Sequence, residues 1–263
     1  MGTSFDLAVR DGVGVVTFTR PKTLHSLTFD VYSELVRLFR DEAAACPAKA
    51  FVLTGSGRGF CSGGDVHEII GELFRRDMKG LLEFTRMTGD LVHALRRCDK
   101  PLLAAVNGLA AGAGAVIALA CDLRVCAESA SFAFLFSKVG LTGADMGAGY
   151  LLPRTVGLSR ASELLLLGDS IDARTAERYG LANRVVPDGE LLPAAMEWAR
   201  RLADGPSLAL SMTKRMLLNE QHMDLAAALE AEAQAQALLL QGKDHRAFYE
   251  AFKEKREPRF SGE

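Results

Sequence analysis

The chain has 263 residues, 49 % of them hydrophobic, and a formal charge of −2. That length allows one large domain, or one with a small appendage. The charge balance offers nothing to nucleic acid or an anionic membrane, and no apolar run reaches the roughly 20 residues that cross a bilayer. Five cysteines without a Cys-x-x-Cys pair, and five scattered histidines, predict reduced thiols, a cytoplasmic protein and no metal site. Residues 1–20 lack the basic start, apolar centre and cleavage site of a secretory signal.

The spacing predicts strands over 5–10 and 13–19 around Asp11-Gly12, a hairpin signal. Residues 22–27 are a loop, and 28–45 show helical spacing with Leu35, Leu38 and Phe39 on one side. A buried strand, 51–54, runs into a glycine-rich turn over 58–66, where Asp65 is placed to cap a short helix. Residues 67–80 are mixed and charged and read as mobile, and 81–97 is a helix. The stretch 105–122 organises the chain: a strand over 102–106, the turn Asn107-Gly108, then small residues leading into a buried helix that ends at Cys121. Short strands at 123–127 and 131–134 precede a glycine-rich segment, 139–149, that carries Asp145. Short helices follow at 151–156, 160–167 and 172–178, with Gly180 as a C-cap, then a turn at 185–189. Beyond 190 the pattern is helical, over 190–203, 207–219, 224–240 and 244–256. Strands alternating with helices, then helices alone, imply an α/β core with a helical C-terminal part.

Neither a Gly-x-x-x-x-Gly-Lys-Ser/Thr loop nor a Gly-x-Gly-x-x-Gly turn in its strand–helix setting is present. Ser62, in Cys-Ser-Gly-Gly, lacks the Gly-x-Ser-x-Gly pattern of a nucleophile elbow. What remains is two strand-to-helix turns, at Gly63-Gly64 and Gly112-Ala113, and the acid-bearing turn at Asp145. A helix that opens in small residues presents free N–H groups, whose partial positive charge suits a developing anion. Close helix-on-helix packing also uses small residues, and both readings stay open. Two such donors would hold one carbonyl oxygen as it gains charge, worth about 3–4 kcal/mol per donor. One carboxylate nearby would move a proton on the neighbouring carbon.

Seven pieces of the chain carry a family resemblance: Gly59 to Asp65, Lys100-Pro101 to Asn107-Gly108, Ala111 to Gly114, Ala120-Cys121-Asp122, Gly149 to Arg154, Leu167-Gly168-Asp169 and the tail Phe252 to Phe260. Together, and in this order, they resemble the enoyl-CoA hydratase/isomerase (crotonase) superfamily over nearly the whole chain. The resemblance implies a crotonase-like spiral of ββα units over 1–200 and a helical C-terminal trimerisation region over 201–263. It further implies a homotrimer or a dimer of trimers, with an acyl-CoA thioester as substrate and no separate cofactor. By position, the oxyanion donors are the N–H groups of Gly64 and Ala113, where the family usually has Gly at the second position. The neighbours Gly63 and Gly112 shape those turns. Lys22 and Leu24 match the loop that grips CoA by its backbone. Asp65 and Val66 border the pantetheine and adenine, and Lys255 matches a basic residue offered to CoA phosphates.

The departures from the family bear on the reaction. The two glutamates of typical hydratases fall at Val116 and Phe136, neither of which moves a proton. Asp145, nine residues before Arg154, matches an alternative acid position found in double-bond isomerases of the family. A dehalogenase that also uses this aspartate needs a histidine where this chain has Gly89, with His93 one turn further on. The resemblance therefore implies an isomerase-like subgroup with a single aspartate, Asp145, as acid and base. Two alternatives remain: a hydratase or lyase using Asp145 with water, and a CoA-binding member without turnover. Asp145 also has a plainer role open to it, as cap of the helix after Met146. His67 reads as a surface or pocket-lining residue, and Asp122 as a tie for the backbone near Arg124.

Overall fold

The fold is a computed structural model that describes residues 4–263; residues 1–3, the start of the expected core region, lie outside it. Strands β1 (Phe5–Arg10) and β2 (Val13–Phe18) form the expected hairpin. Its turn residues Asp11 and Gly12 both have positive φ, 50° and 72°, as a right-twisted two-residue hairpin turn requires. Helix α1 (Phe29–Arg37) starts at Thr28, whose hydroxyl accepts the Val31 N–H at 3.4 Å, and runs on as a π-helical turn, Leu38–Glu42.

From there the chain repeats one idea. A first strand joins a large sheet, a second and shorter strand joins a small sheet, and a helix brings the chain back. The first strands are β3 (Ala50–Gly55), β5 (Leu102–Val106) and β7 (Leu123–Ala127). The second strands are β4 (Gly59–Cys61), β6 (Leu109–Ala111) and β8 (Ser131–Ala133). Between them run α2 (Gly71–Leu73), α3 (Met78–Arg97) and α4 (Ala113–Ala120), and after β8 come α5 (Ala148–Val156) and α6 (Leu158–Leu167). Then β9 (Ser170–Asp172) pairs with β8, α7 (Ala173–Tyr179) follows, and β10 (Arg184–Val186) closes the large sheet. The large sheet has the order β1-β2-β3-β5-β7-β10 and the small one β4-β6-β8-β9. Apart from the β1–β2 and β8–β9 pairs, all neighbours are parallel. This is the ββα spiral implied by the resemblance.

From β3 to β7 the large sheet is buried on both faces, as parallel strands require, whereas the antiparallel edge strand β1 is mostly exposed. Phe51, Leu53, Leu102, Ala104 and Val106 face the core shared with α1, α3 and α4. The alternate residues Val52, Leu103 and Ala105 face α8 (Leu191–Ala203) through Ala195 and Ala199. Helices α9 (Ser207–Asn219), α10 (Leu225–Leu240) and α11 (Lys243–Glu254) follow. Together with α8 they match the four predicted C-terminal helices to within about two residues at each end.

Four short strands escaped the sequence reading, among them β9, between the helices expected at 160–167 and 172–178. β4 and β6 lie in segments read as turns, and β10 lies at the start of the expected 185–189 turn. A strand of three residues is too short to display period-two alternation. Residues 67–80, expected to be mobile, are largely helical instead: α3 starts at Met78, and helical turns run over 66–73. Asp65 starts them as predicted, its Oδ1 accepting the N–H groups of His67 and Glu68 at 3.0 and 3.1 Å.

Candidate active site

The two donor turns are equivalent points in neighbouring ββα units. β4 and β6 pair in parallel, Cys61 opposite Ala110, so the turns that leave them lie side by side. Each turn leaves its strand through a glycine with positive φ, 96° at Gly63 and 50° at Gly112. A side chain at Gly63 would place its Cβ 2.9 Å from the Ala111 carbonyl oxygen and 3.4 Å from the Ala113 nitrogen. The two turns therefore touch: Gly63 is required by shape and by conformation, and Gly112 by its positive φ alone.

Both donor N–H groups are left free by their surroundings. Ala113 is the first residue of α4, whose opening N–H groups have no acceptor within the helix. Gly64 forms a bridge with Leu27 in which the Leu27 N–H donates to Gly63 O and the Asp65 N–H donates to Leu27 O, both at 2.8 Å. That pattern uses the groups on either side of Gly64 and turns its own N–H the other way. Ala113 replaces the usual glycine without strain, because a helical first residue needs no positive φ.

The segment holding Lys22 and Leu24 is bound to the first turn. The Ser62 N–H donates to Leu24 O at 2.9 Å, and the Ser62 hydroxyl donates to Thr23 O at 3.0 Å. Leu24 itself has φ 50°. Asp65 accepts the Ser26 hydroxyl at 2.7 Å and lies 3.6 Å from the Arg20 guanidinium. Backbone N–H bonds from the capped turn, then Ser26, hold its carboxyl below the usual range. Its side chain is thus committed to the cap, while Val66 beside it is 62 % exposed.

Asp145 is half-buried in the loop between the 3-10 turn Leu135–Val139 and α5. Burial pushes its carboxyl above the usual carboxylate range, opposed by a bond from the Met146 N–H. The capping role is not its own: Gly147, at φ 84°, is the N-cap of α5, and no side chain caps that helix. Gly147 rests on α3, where a Cβ would meet Val92 Cγ1 at 3.6 Å. Tyr32 of α1 is 2 % exposed. Its phenol is pushed up by burial first, then by the nearby Cys61 and Asp145 groups. Tyr32 packs edge-on against Phe84 of α3, 6.3 Å between centroids. Val116, one turn into α4, is fully buried, and Phe136 packs half-buried on the same core.

A match to the family model described as "Enoyl-CoA hydratase/isomerase" spans residues 8–263. The chain belongs to that family. It is 35 % identical over 254 residues to 1,2-epoxyphenylacetyl-CoA isomerase of Escherichia coli (strain K12), covering 97 % of each chain. It is 38 % identical over 254 residues to a protein of Rhodobacter capsulatus named "Probable enoyl-CoA hydratase", covering 97 % of this chain and 96 % of that one. A crystal structure from Streptomyces coelicolor A3(2) superposes with a TM-score of 0.96 at 51 % identity, over 99 % of this chain and 94 % of that one. The family acts on acyl-CoA thioesters, and the named relatives include both an isomerase and hydratases.

The fold therefore gathers Gly63, Gly64, Gly112, Ala113, Asp65 and the Lys22–Leu24 segment around one pair of turns. Lys255 does not join them: it is the C-cap of α11 at φ 56°, with no hydrogen bond or ion pair to the donor turns among the described residues. His67 lines a groove with Glu68 and Arg76, as a surface residue would. Asp122 ties down the backbone at Leu102, whose N–H it accepts at 2.8 Å, rather than near Arg124.

Two residues went unread in the sequence. Neither Tyr32 nor Arg124 was given a role of its own. Arg124 is 6 % exposed and donates to the carbonyls of Ala118, Leu119, Cys121 and Leu181 at 2.5–3.2 Å. It closes the C-terminal end of the helix whose N-terminal end is the second donor. The visible signal was a lone arginine in a buried strand directly after a buried helix. All five cysteines are free, and burial pushes the thiols of Cys61, Cys121 and Cys126 to about 12, which makes them inert as nucleophiles. No helix among the described residues is long and apolar enough to cross a membrane.

Proposed function

We propose that this chain moves a double bond along an enoyl-CoA thioester. The thioester oxygen sits between the N–H groups of Gly64 and Ala113. Asp145 takes a proton from the α carbon, the electrons pass into the thioester, and the donors hold the resulting dienolate. Asp145 then returns the proton to the γ carbon, so one base serves both steps. The acyl-CoA is the substrate and no further cofactor enters this scheme. The cytoplasm, implied by reduced thiols, is the proposed setting.

The observation that supports this reading is a half-buried carboxyl pushed above its usual range within electrostatic reach of the buried Tyr32, while the resemblance puts Val116 and Phe136 where water-activating glutamates would stand. An aspartate at its ordinary pKa is a weak base at neutral pH, and burial makes it a stronger one. Because the deprotonated form is active, the rate falls as pH drops through the carboxyl's pKa, at a pH above the 3.8 of a free aspartate. The apolar surroundings disfavour addition of water to the dienolate.

The test uses 3-enoyl-CoA and 2-enoyl-CoA with the protein and its Asp145→Asn variant, following conjugated product and added water separately. Movement of the double bond, reduced about 10²–10⁴-fold in the variant, is expected for loss of a general acid–base. Hydration by both proteins would overturn the reading.

A homotrimer, or a pair of trimers, is also proposed. It is supported by the exposed apolar residues of the C-terminal helices, among them Leu225, Leu229, Leu238, Phe248 and Phe252 at 50–75 % exposure.

A further inference from the structure

A groove of about 390 Å³ opens on the far side of the Asp145 loop. Its polar wall is built from His93, Arg96 and Arg97 of α3, Tyr150 of α5, and Asn219 and His222 at the end of α9. No carboxylate belongs to this lining. Of the acids around it, Asp122 is shared with the wall itself, and Glu220, whose Oε1 is buried without a partner among the described residues, lines a different groove with Met216 and Ala233. Asp122 pairs with Arg96 at 3.6 Å and with Lys214 at 2.8 Å, and Asp99 pairs with Arg215 at 2.7 Å.

The wall is preorganised. The Tyr150 hydroxyl bonds His222 Nε2 at 2.8 Å, the two rings stack at 5.6 Å, and the Arg154 guanidinium lies 3.6 Å from the Tyr150 ring centre. It also holds a donor without an acceptor: Arg96 Nε is buried and unpartnered among the described residues. A buried donor in that state is satisfied by water or by an acceptor that enters the groove, while the same guanidinium is held by Asp122. Arginine presents a planar fork that matches a carboxylate with two parallel bonds.

The groove also has a route to the chemistry. Met146 and Gly147, the two residues after Asp145, are part of its lining, and two residues of chain span at most about 7 Å. Val92 and Leu151 give it an apolar strip for methylene groups. Met146, 6 % exposed, is unbranched and adaptable enough to let a chain pass.

We propose that this groove is a carboxylate subsite, occupied by the far end of the acyl group, so that the chain prefers acyl-CoA thioesters that end in a carboxylate. The inference deepens the isomerase reading, since it rests on the acyl chain passing Asp145. Its test is chosen to need no turnover, so silence of an enoyl-CoA assay leaves it decidable.

Calorimetry would measure the affinities of suberoyl-CoA and octanoyl-CoA, which share a length and differ in the terminal carboxylate, at one salt concentration. The protein is expected to bind suberoyl-CoA about tenfold more tightly, the worth of one hydrogen bond to a charged group. Arg97, exposed and outside any ion pair among the described residues, is the side chain to change. Arg97→Gln should bring the ratio toward one, and Arg97→Glu should invert it. Circular dichroism on both variants checks that they fold. Equal affinities in the unaltered protein, or a preference that survives both substitutions, would overturn the proposal. A third arm titrates free glutarate. Binding that depends on Arg97, without any advantage for suberoyl-CoA, would assign the groove to a free carboxylate and overturn the acyl-end assignment.

Discussion

Helices α4 and α10 are both rich in alanine, and they sit in opposite worlds. Every residue of α4 is buried, and no residue of α10 is. In α4 the small residues are a matter of distance: a Cβ at Gly114 would fall 2.1 Å from the Cys61 carbonyl oxygen and 2.7 Å from the Cys61 Cβ. That closeness sets α4 against β4 and so brings the donor at Ala113 beside the donor at Gly64. In α10 the alanines meet nothing comparable, and serve as strong helix formers between leucines at 55–75 % exposure. Composition alone thus says little about what a small residue does. The neighbour at contact distance decides it.

The sharpest way to break the comparison is Gly114→Val. The nearest atoms are backbone, which cannot swing aside, so the cost exceeds the roughly 1–3 kcal/mol of ordinary overpacking. No cooperative unfolding transition is expected in urea, whereas retention of a wild-type midpoint would show that α4 and β4 separate easily.

Next in size is the other end of α4. Arg124→Met keeps volume and removes a buried charge together with its bonds to four carbonyls. Those carbonyls include the C-terminal end of α4, where a positive charge complements the helix dipole. The loss is expected to be about 3–5 kcal/mol, as for breaking a buried charged network by removing one partner, read from the urea midpoint and slope. A loss under about 1 kcal/mol would mean that water replaces the guanidinium and that this end of α4 is less dry than its burial suggests.

The fold was legible in the sequence wherever a segment was long. The hairpin, α1, α3 and the four C-terminal helices have enough residues to show a period, and Asp65 and Gly180 marked ends as caps do. β4 and β6 were not legible, because strands of three residues carry no period and their glycines read as turns. That loss matters, since the pairing of those strands explains why the two donor turns are neighbours. The donors themselves, Gly64 and Ala113, came from the family resemblance. The glycines on their N-terminal sides are where physics alone pointed. Tyr32 and Arg124 were invisible because their roles depend on which segments meet, and no local pattern reports that.

Ala113→Pro sharpens the comparison at a single group. Proline is favoured at the first position of a helix, where the N–H has no acceptor within the helix. The substitution should therefore cost little stability while deleting the second donor. Turnover is expected to fall about 10²–10³-fold, the measured worth of one oxyanion donor, with the unfolding midpoint nearly unchanged. Equal loss of stability and activity would return the small residues of α4 to a packing role alone. In α10 no such single-group dependence exists, because none of its opening N–H groups meets a reacting atom in the proposed mechanism.

The smallest expected effect is the counterpart of Gly114→Val on the exposed helix. Ala237 is exposed on α10, and Ala237→Val there meets no backbone. Only the difference in helix propensity remains, about 0.6 kcal/mol, which denaturation of dilute protein would read. The same helix answers differently when its leucines are changed. Leu229→Asp, at a position 55 % exposed, should leave the folding of one chain almost untouched. If a second copy covers α10, it places an unpaired carboxylate in an apolar contact, and the sedimentation coefficient falls. A small change in stability with a large change in assembly would show that α10 is buried after all, by another molecule. No change in either would leave its leucines as surface residues and take the main support from the trimer.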